Sequence, residues 1–212
     1  HAIGFDAGAK AAIIATIAFG ARVVAGDVYH EGISGITVAD IDFAADLRHC
    51  IKLLAVVERT VASDGGFQIG VRVHPTLVPL DHPLASVRGS FNAVFVEGGA
   101  AGDLMFYGRG AGGRPTASAV LGDLIDAAGN LRQGHSASIG ALERARIAPI
   151  DDVTSAFYLN VEVDDRPGVL AEITAAMRDA DVSIESMIQH GHPEDGAEEP
   201  VLVAIVTHEG PE

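Results

Sequence analysis

Tryptophan is absent, cysteine occurs once, and aromatic residues make up only 5% of the 212-residue chain. A single thiol cannot close an intrachain disulfide, so the chain lacks the framework of small secreted domains and a reducing, cytoplasmic setting is expected. That thiol, Cys50, lies in an apolar run and is read as a buried structural residue. Basic residues are also scarce: 14 Lys and Arg stand against 29 Asp and Glu, a formal charge of −15. Such a charge repels polyanions, which excludes nucleic acid and anionic membrane surfaces as partners. The longest apolar stretch, Ala11 to Phe19, falls well short of the ~20 residues needed to span a bilayer. No basic segment followed by an apolar one and a cleavage site marks a signal peptide. The chain opens at His1 only a few residues ahead of a helix pattern, and is expected to be cut from something longer.

The chain is rich in apolar bulk. Hydrophobic residues make up 48% and charged ones 20%, enough for one large domain or two small ones with real cores. A first helix is predicted from Asp6 to Gly20, with Lys10 its only internal charge, and so buried on most sides. Thr37-Val38-Ala39-Asp40 has capping-box spacing before an amphipathic helix carrying Val38, Ile41, Ala44, Ala45 and Leu47. Ile51 to Val57 reads as a sheet-centre strand. Gly65-Gly66 turns it into the alternating Phe67 to Val73, and Pro75, Pro79 and Pro83 interrupt the chain after that strand. Phe91 to Val96 and Asp103 to Tyr107 form a second strand pair about Gly98-Gly99, and Pro115 opens a third helix through Leu131. From Gly129 to Asp152 the periodicity fades, with Ala141 to Ile147 a possible short helix. A new unit then reads strand Ala156 to Val163, helix Pro167 to Asp179, strand Ser183 to Gln189, an acidic Gly/Pro loop, and strand Val201 to Thr207. That is a βαββ pattern, one helix and one strand short of a βαββαβ sandwich, with an unpaired sheet edge expected.

Two patterns carry chemistry. Asp6 and Lys10 are four apart, so on a helix they share a face. Spacing alone weighs a surface ion pair and a functional pair about equally. Ile13, Ile14 and Ile17 lie on the same stripe beyond Lys10, and are read as leading into the core, so that the pair caps a buried face. A lysine at the edge of an apolar pocket shifts its pKa readily and suits acid–base work. Gly108, Gly110 and Gly113 satisfy G-x-G-x-x-G between a strand and a helix. The helix after them nevertheless runs into a polar linker without a second strand or a ribose-binding acid, so this is not a dinucleotide fingerprint. Gly108 is also explicable as a tight turn needing positive φ. His74 and His82 have no ligand spacing with a further His or carboxylate, and no metal site is expected.

Phe5 to Phe19 resembles the substrate-site motif of the homoserine dehydrogenases, and Tyr107-Gly108-Arg109-Gly110-Ala111-Gly112-Gly113-Arg114-Pro115-Thr116 resembles their loop over the cofactor. Glu31-Gly32-Ile33, Asp40-Ile41, Ile51-Lys52-Leu53-Leu54-Ala55, Val73-His74-Pro75, His82-Pro83-Leu84-Ala85 and Phe91-Asn92-Ala93-Val94 fit the same order and spacing. The resemblance implies that Asp6 holds the amino group of homoserine or aspartate semialdehyde, and that Lys10 bonds the reacting oxygen and takes part in its proton transfer. It implies cofactor contact at Gly112. Gly8 stands where that family carries alanine, a helix penalty of roughly 1 kcal/mol. Asp164-Asp165-Arg166-Pro167-Gly168-Val169-Leu170 before a helix, with Ser183 to Ser186 and Gln189 after it, resembles an ACT domain. Asp165, Gly168, Val169 and Leu170 would then present an effector loop, with threonine the implied effector.

The expected architecture is α+β: a mixed-sheet substrate and dimerisation domain with helices on one face over residues 1–132, a linker over 133–152, and a truncated ferredoxin-like ACT unit over 153–212. The implied function is part of an NAD(P)-dependent homoserine dehydrogenase, cytoplasmic and a homo-oligomer (dimer or tetramer), without its nucleotide-binding domain and therefore inactive alone. The alternative is a non-catalytic amino-acid-binding or dimerisation module.

Overall fold

Apart from Gly8, the segment Phe5–Phe19 holds no glycine and no proline, and alanine dominates its middle, so helix is the favoured state. In the computed structural model, which describes residues 4–135, 142–190 and 200–211, it forms α1 (Phe5–Phe19). Gly20 ends it in the left-handed region at φ 64°, its N–H returning to Thr16 O. The expected isoleucine stripe into the core is overturned. The buried positions are Gly8, Ala11, Ala12 and Ala15, whereas Ile13, Ile14 and Ile17 are 61%, 37% and 67% exposed. Small residues at i, i+3, i+4 and i+7 let the helix axis come close to the sheet, and Val23, Val28, Ile69, Val71 and Val73 fill the space from below. Bulk lies outward and small residues lie inward, the reverse of the hydropathy ranking.

The sheet beneath consists of β1 (Tyr29–His30), β2 (His49–Val61) and β3 (Phe67–Pro79) in the order β1-β3-β2. β1 pairs in parallel with β3, with His30 opposite Val73, which makes the sheet mixed. Two residues leave no period to read, so this strand carries no sequence signal. β3 also runs through Pro75 to Pro79, where the prolines suggested an interruption. Helix α2 (Val38–Asp46) begins at the expected capping box: Thr37 Oγ1 accepts from Asp40 N, and Asp40 Oδ2 accepts from Thr37 N at 2.7 Å. Its buried face is Asp40, Phe43 and Ala44, while Val38 and Ile41, expected on that face, are 74% and 56% exposed.

These elements, but for the last two residues of β3, belong to the first of two compact units, His1–Leu77 with Glu143–Glu212; the second is Val78–Leu142. In the second unit β4 (Phe91–Gly98) and β5 (Gly102–Arg109) form an antiparallel hairpin closed at Gly98 and Gly102. Phe91 stacks on Tyr107 at 4.9 Å, and Arg109 lies over the Phe91 ring. Helix α3 (Gly113–Arg132) comes next with no buried residue, and Val120, Leu121, Leu124 and Ile125 stand exposed along it.

Back in the first unit, the part of the possible Ala141 to Ile147 helix that is described is extended instead. Arg144 bridges to Arg22 and Ile147 to Ile69, each in parallel; Ala141 lies outside the described residues. β6 (Thr154–Ser155) pairs with the C-terminal β10 (Gly210–Pro211). Between them, β7 (Tyr158–Asp164), α4 (Val169–Asp179), β8 (Ile184–His190) and β9 (Pro200–Thr207) give a βαββ unit with antiparallel sheet order β7-β9-β8. β9 is central, and Val201, Val203 and Ile205 are fully buried on it. The acidic Gly/Pro loop lies outside the described residues over 191–199. The fold is α+β as expected, ending in a partial ferredoxin-like unit. No helix among the described residues is long and apolar enough to cross a membrane.

Candidate functional site

Helix geometry brings Asp6 and Lys10 together: Lys10 Nζ donates to Asp6 Oδ2 at 2.7 Å, with the side chains 58% and 61% exposed. The pair therefore does not cap a buried face. It stands on the outward stripe, at the N-terminal end of Ile13, Ile14 and Ile17. As an ion pair it contributes roughly 0.3–0.5 kcal/mol, so stability gives no reason for it. Chemically it offers a carboxylate for an ammonium group and an ammonium for a substrate oxygen, side by side above an apolar strip.

The first turn of α1 rests on glycines. A Cβ at Gly8 would lie 2.1 Å from His30 Nε2, and one at Gly4 would lie 3.0 Å from Val73 Cγ1. His30 Nε2 is buried with no hydrogen-bond partner among the described residues, and the ring tilts against Phe5 at 5.1 Å. Sequence spacing carries no hint of this histidine, because its strand is only two residues long.

In the second unit, Gly112 is the residue before α3, at φ 124°, and no side chain caps that helix. A backbone that takes this φ and carries no Cβ admits close approach of a ligand, and an uncapped helix start favours anionic groups. Gly108 is different. It is a β5 residue opposite Asn92 and is absent from the positive-φ glycines, which removes the tight-turn explanation. A Cβ at Gly110 would lie 1.8 Å from Asn92 Nδ2, so a side chain there would displace the exposed Asn92 amide.

Of the expected effector residues, Asp165 and Gly168 lie in the loop between β7 and α4, and Val169 and Leu170 open α4. Gly168 precedes α4 at φ 97°, and Asp165 Oδ1 accepts from Gln189 Nε2 at 3.5 Å. Val169 is 9% exposed and Leu170 39% exposed, so Leu170 offers the more accessible surface of the two. Arg166 makes a two-pronged pair with Glu172, at 2.8 and 2.6 Å, which ties the loop to the helix it opens.

A buried carboxylate, read from the sequence only as a helix cap, joins the two halves of the first unit. Asp40, 5% exposed, accepts on Oδ1 from Tyr158 Oη at 2.9 Å and Asn160 Nδ2 at 2.7 Å, while its Oδ2 takes the capping bonds from Thr37. Burial pushes its pKa up, but the hydrogen bonds from Thr37, Asn160 and Tyr158 outweigh it and hold the carboxyl below its ordinary value. Burial, then the hydrogen bond to Asp40, pushes the Tyr158 phenol well above its usual range. The capping box was legible; partners more than a hundred residues away were not.

His74 and His82 are both engaged structurally. Arg72 Nε donates to His74 Nε2 at 3.2 Å, which leaves the ring proton on Nδ1 to donate to Pro75 O at 2.9 Å. Arg72 also pairs with Glu58. His82 Nδ1 accepts from Leu84 N and its ring meets Phe95 edge-on. Among the described residues, no group of three or more His, Cys, Asp or Glu is arranged to hold a metal ion.

Comparison with known proteins matches residues 3–125 to the homoserine dehydrogenase family and residues 157–212 to the ACT domain. The homoserine dehydrogenase of Corynebacterium glutamicum is 48% identical over 206 residues, covering 97% of this chain and 45% of that protein. The Mycobacterium tuberculosis protein of the same name is 47% identical over 210 residues, covering 97% of this chain and 47% of its own length. The crystal structure of a homoserine dehydrogenase from Thiobacillus denitrificans superposes with a TM-score of 0.87 at 37% identity, over all of this chain and 47% of that one. The chain thus spans about half the length of the relatives it matches. By these matches, the chain belongs to the homoserine dehydrogenase family.

Proposed function

We propose that this chain is the substrate-side and amino-acid-sensing part of an NAD(P)-dependent homoserine dehydrogenase, interconverting L-homoserine and L-aspartate 4-semialdehyde. The observation that carries the reading is the Asp6–Lys10 pair, exposed and closed at 2.7 Å, on the helix whose sequence resembles the family's substrate motif. Asp6 would hold the substrate ammonium. Lys10 would hydrogen-bond the C4 oxygen and take up or return its proton, because removal of hydride from carbon leaves a carbonyl only if the hydroxyl proton also departs. The nicotinamide cofactor, when bound, supplies the hydride acceptor. On this chain Gly112 at the uncapped start of α3 fits contact with it.

Residues 1–132 would form the substrate domain, 133–152 the linker and 153–212 the ACT unit. In that unit Asp165, Gly168, Val169 and Leu170 would receive an amino-acid effector, threonine by family resemblance. The apolar surface left open on α3 favours assembly as a homo-oligomer. The 212 residues alone would be inactive, since Asp6 and Lys10 are only part of a substrate site. Reduction of aspartate semialdehyde by NADPH tests both statements: turnover is expected from the intact protein and none from the isolated chain. An intact protein that oxidises no NADPH with this substrate would overturn the reading.

A further inference from the structure

The back of α1 shows how the substrate pair is held. On an α-helix, positions two before and two after a residue lie about 160° around the axis from it. Asp6 and Lys10 therefore face directly away from Gly8, and Gly8 faces the sheet. One turn earlier, Gly4 N-caps the helix at φ 80°, and Gly8 N donates to Gly4 O at 2.9 Å. The two glycines rest on two residues that are themselves register partners: Gly4 on Val73 and Gly8 on His30, paired across β3 and β1. The pairing is secured by Glu31 N donating to Val73 O at 2.7 Å. No space remains for a Cβ at Gly8, where one would penetrate the imidazole.

We infer that His30 and the Gly4/Gly8 seat form a strut that sets how far the first turn of α1 stands off the sheet, and hence where Asp6 and Lys10 present their charges. His30 is thus a positioning residue for the proposed reaction, acting through the helix backbone. Its Nε2 is buried without a partner among the described residues, an arrangement that folding alone would replace with an apolar side chain. The ring is kept for its reach: from a two-residue strand it fills the gap that a glycine opens under the helix. Gly8 thereby changes its meaning. Helix propensity alone would make alanine the better residue there. With the His30 ring in the position seen here, only glycine fits at residue 8.

This inference rests on the reading of Asp6 and Lys10 as the substrate pair, and its test separates the two. In the intact enzyme, Gly8→Ala should lower kcat for homoserine oxidation by about 10²-fold, the usual cost of an ångström-scale misplacement of reacting groups. The KM for the nicotinamide cofactor should not move. Adding His30→Ala to Gly8→Ala should return kcat to within roughly threefold of the parent. A Gly8→Ala enzyme with unchanged kcat overturns the strut, as does a folded double variant that recovers nothing. Should the parent protein prove unable to oxidise homoserine, the proposed function fails, and a crystal structure of Gly8→Ala still judges the strut. An α1 first turn displaced by about 1 Å or more supports it, and an undisplaced one overturns it.

Discussion

Replacing Asp40 with alanine removes the acceptor of four hydrogen bonds, from Thr37 N, Thr37 Oγ1, Tyr158 Oη and Asn160 Nδ2. The two bonds that reach β7 are charge-assisted and lie beside a carboxylate only 5% exposed. At about 1.5–3 kcal/mol for each hydrogen bond to a charged group, taken toward the lower end because Thr37 can turn to water, Asp40→Ala should cost roughly 3–4 kcal/mol. For a chain of this length that lowers Tm by roughly 6–16 °C. Asp40→Asn keeps one acceptor oxygen for Tyr158 or Asn160 and should cost about half as much. The pH dependence stems from the depressed carboxyl. Its stabilising contribution is complete above the ordinary carboxylate pKa of about 4 and is lost as pH falls through the lower folded-state value. The gap between parent and Asp40→Asn should therefore be constant from neutral pH down to about 5 and close below 4. Urea unfolding followed by circular dichroism at several pH values reads both effects. A cost under about 1 kcal/mol for Asp40→Ala, or a gap that widens on acidification, would refute the claim that this carboxylate clamps α2 to β7.

Tyr158 titrates in the opposite sense: its raised pKa means that its contribution holds below about 10 and fades as alkali ionises the unfolded chain first. Tyr158→Phe should therefore be less stable than the parent near neutrality and lose less stability above pH 10, measurable by alkaline unfolding. Gly168→Ala, at φ 97°, should cost about 1–3 kcal/mol, and threonine titrated calorimetrically into the intact protein should bind more weakly. Ile17→Ser should change stability by no more than about 0.5 kcal/mol, because the side chain is 67% exposed. Ala15→Leu, at 0% exposure, should overpack and cost about 1–3 kcal/mol or more in the same urea assay.

Much of the fold could be read from local signals, and the misses share a cause. The α2 capping box, the β4–β5 hairpin and the βαββ unit announce themselves through spacings of two to four residues, which side-chain chemistry at short range dictates. The orientation of α1 did not. Hydropathy points the isoleucines inward, but a close helix–sheet approach selects Gly8, Ala11, Ala12 and Ala15, and that selection is made by the sheet. β1 was invisible for the same reason, since two residues acquire strand identity only by pairing with β3. In the site, the i,i+4 spacing correctly brought Asp6 and Lys10 into contact, whereas their supposed burial relied on the misjudged stripe. His30 under Gly8 and Asp40 beneath Tyr158 are tertiary pairings with no sequence period, and Gly8 looked like a small helix defect until the ring below it was placed.

The central claim is that Lys10 belongs to the chemistry and not to the fold. Lys10→Ala in the intact protein measures this directly, with steady-state homoserine oxidation and thermal unfolding recorded on the same sample. Because the ion pair with Asp6 is exposed, Tm should stay within about 2 °C of the parent. The rate should fall by about 10²–10⁴-fold, the usual contribution of a positioned proton-transfer group. An alanine variant that turns over homoserine at the parental rate would contradict the account.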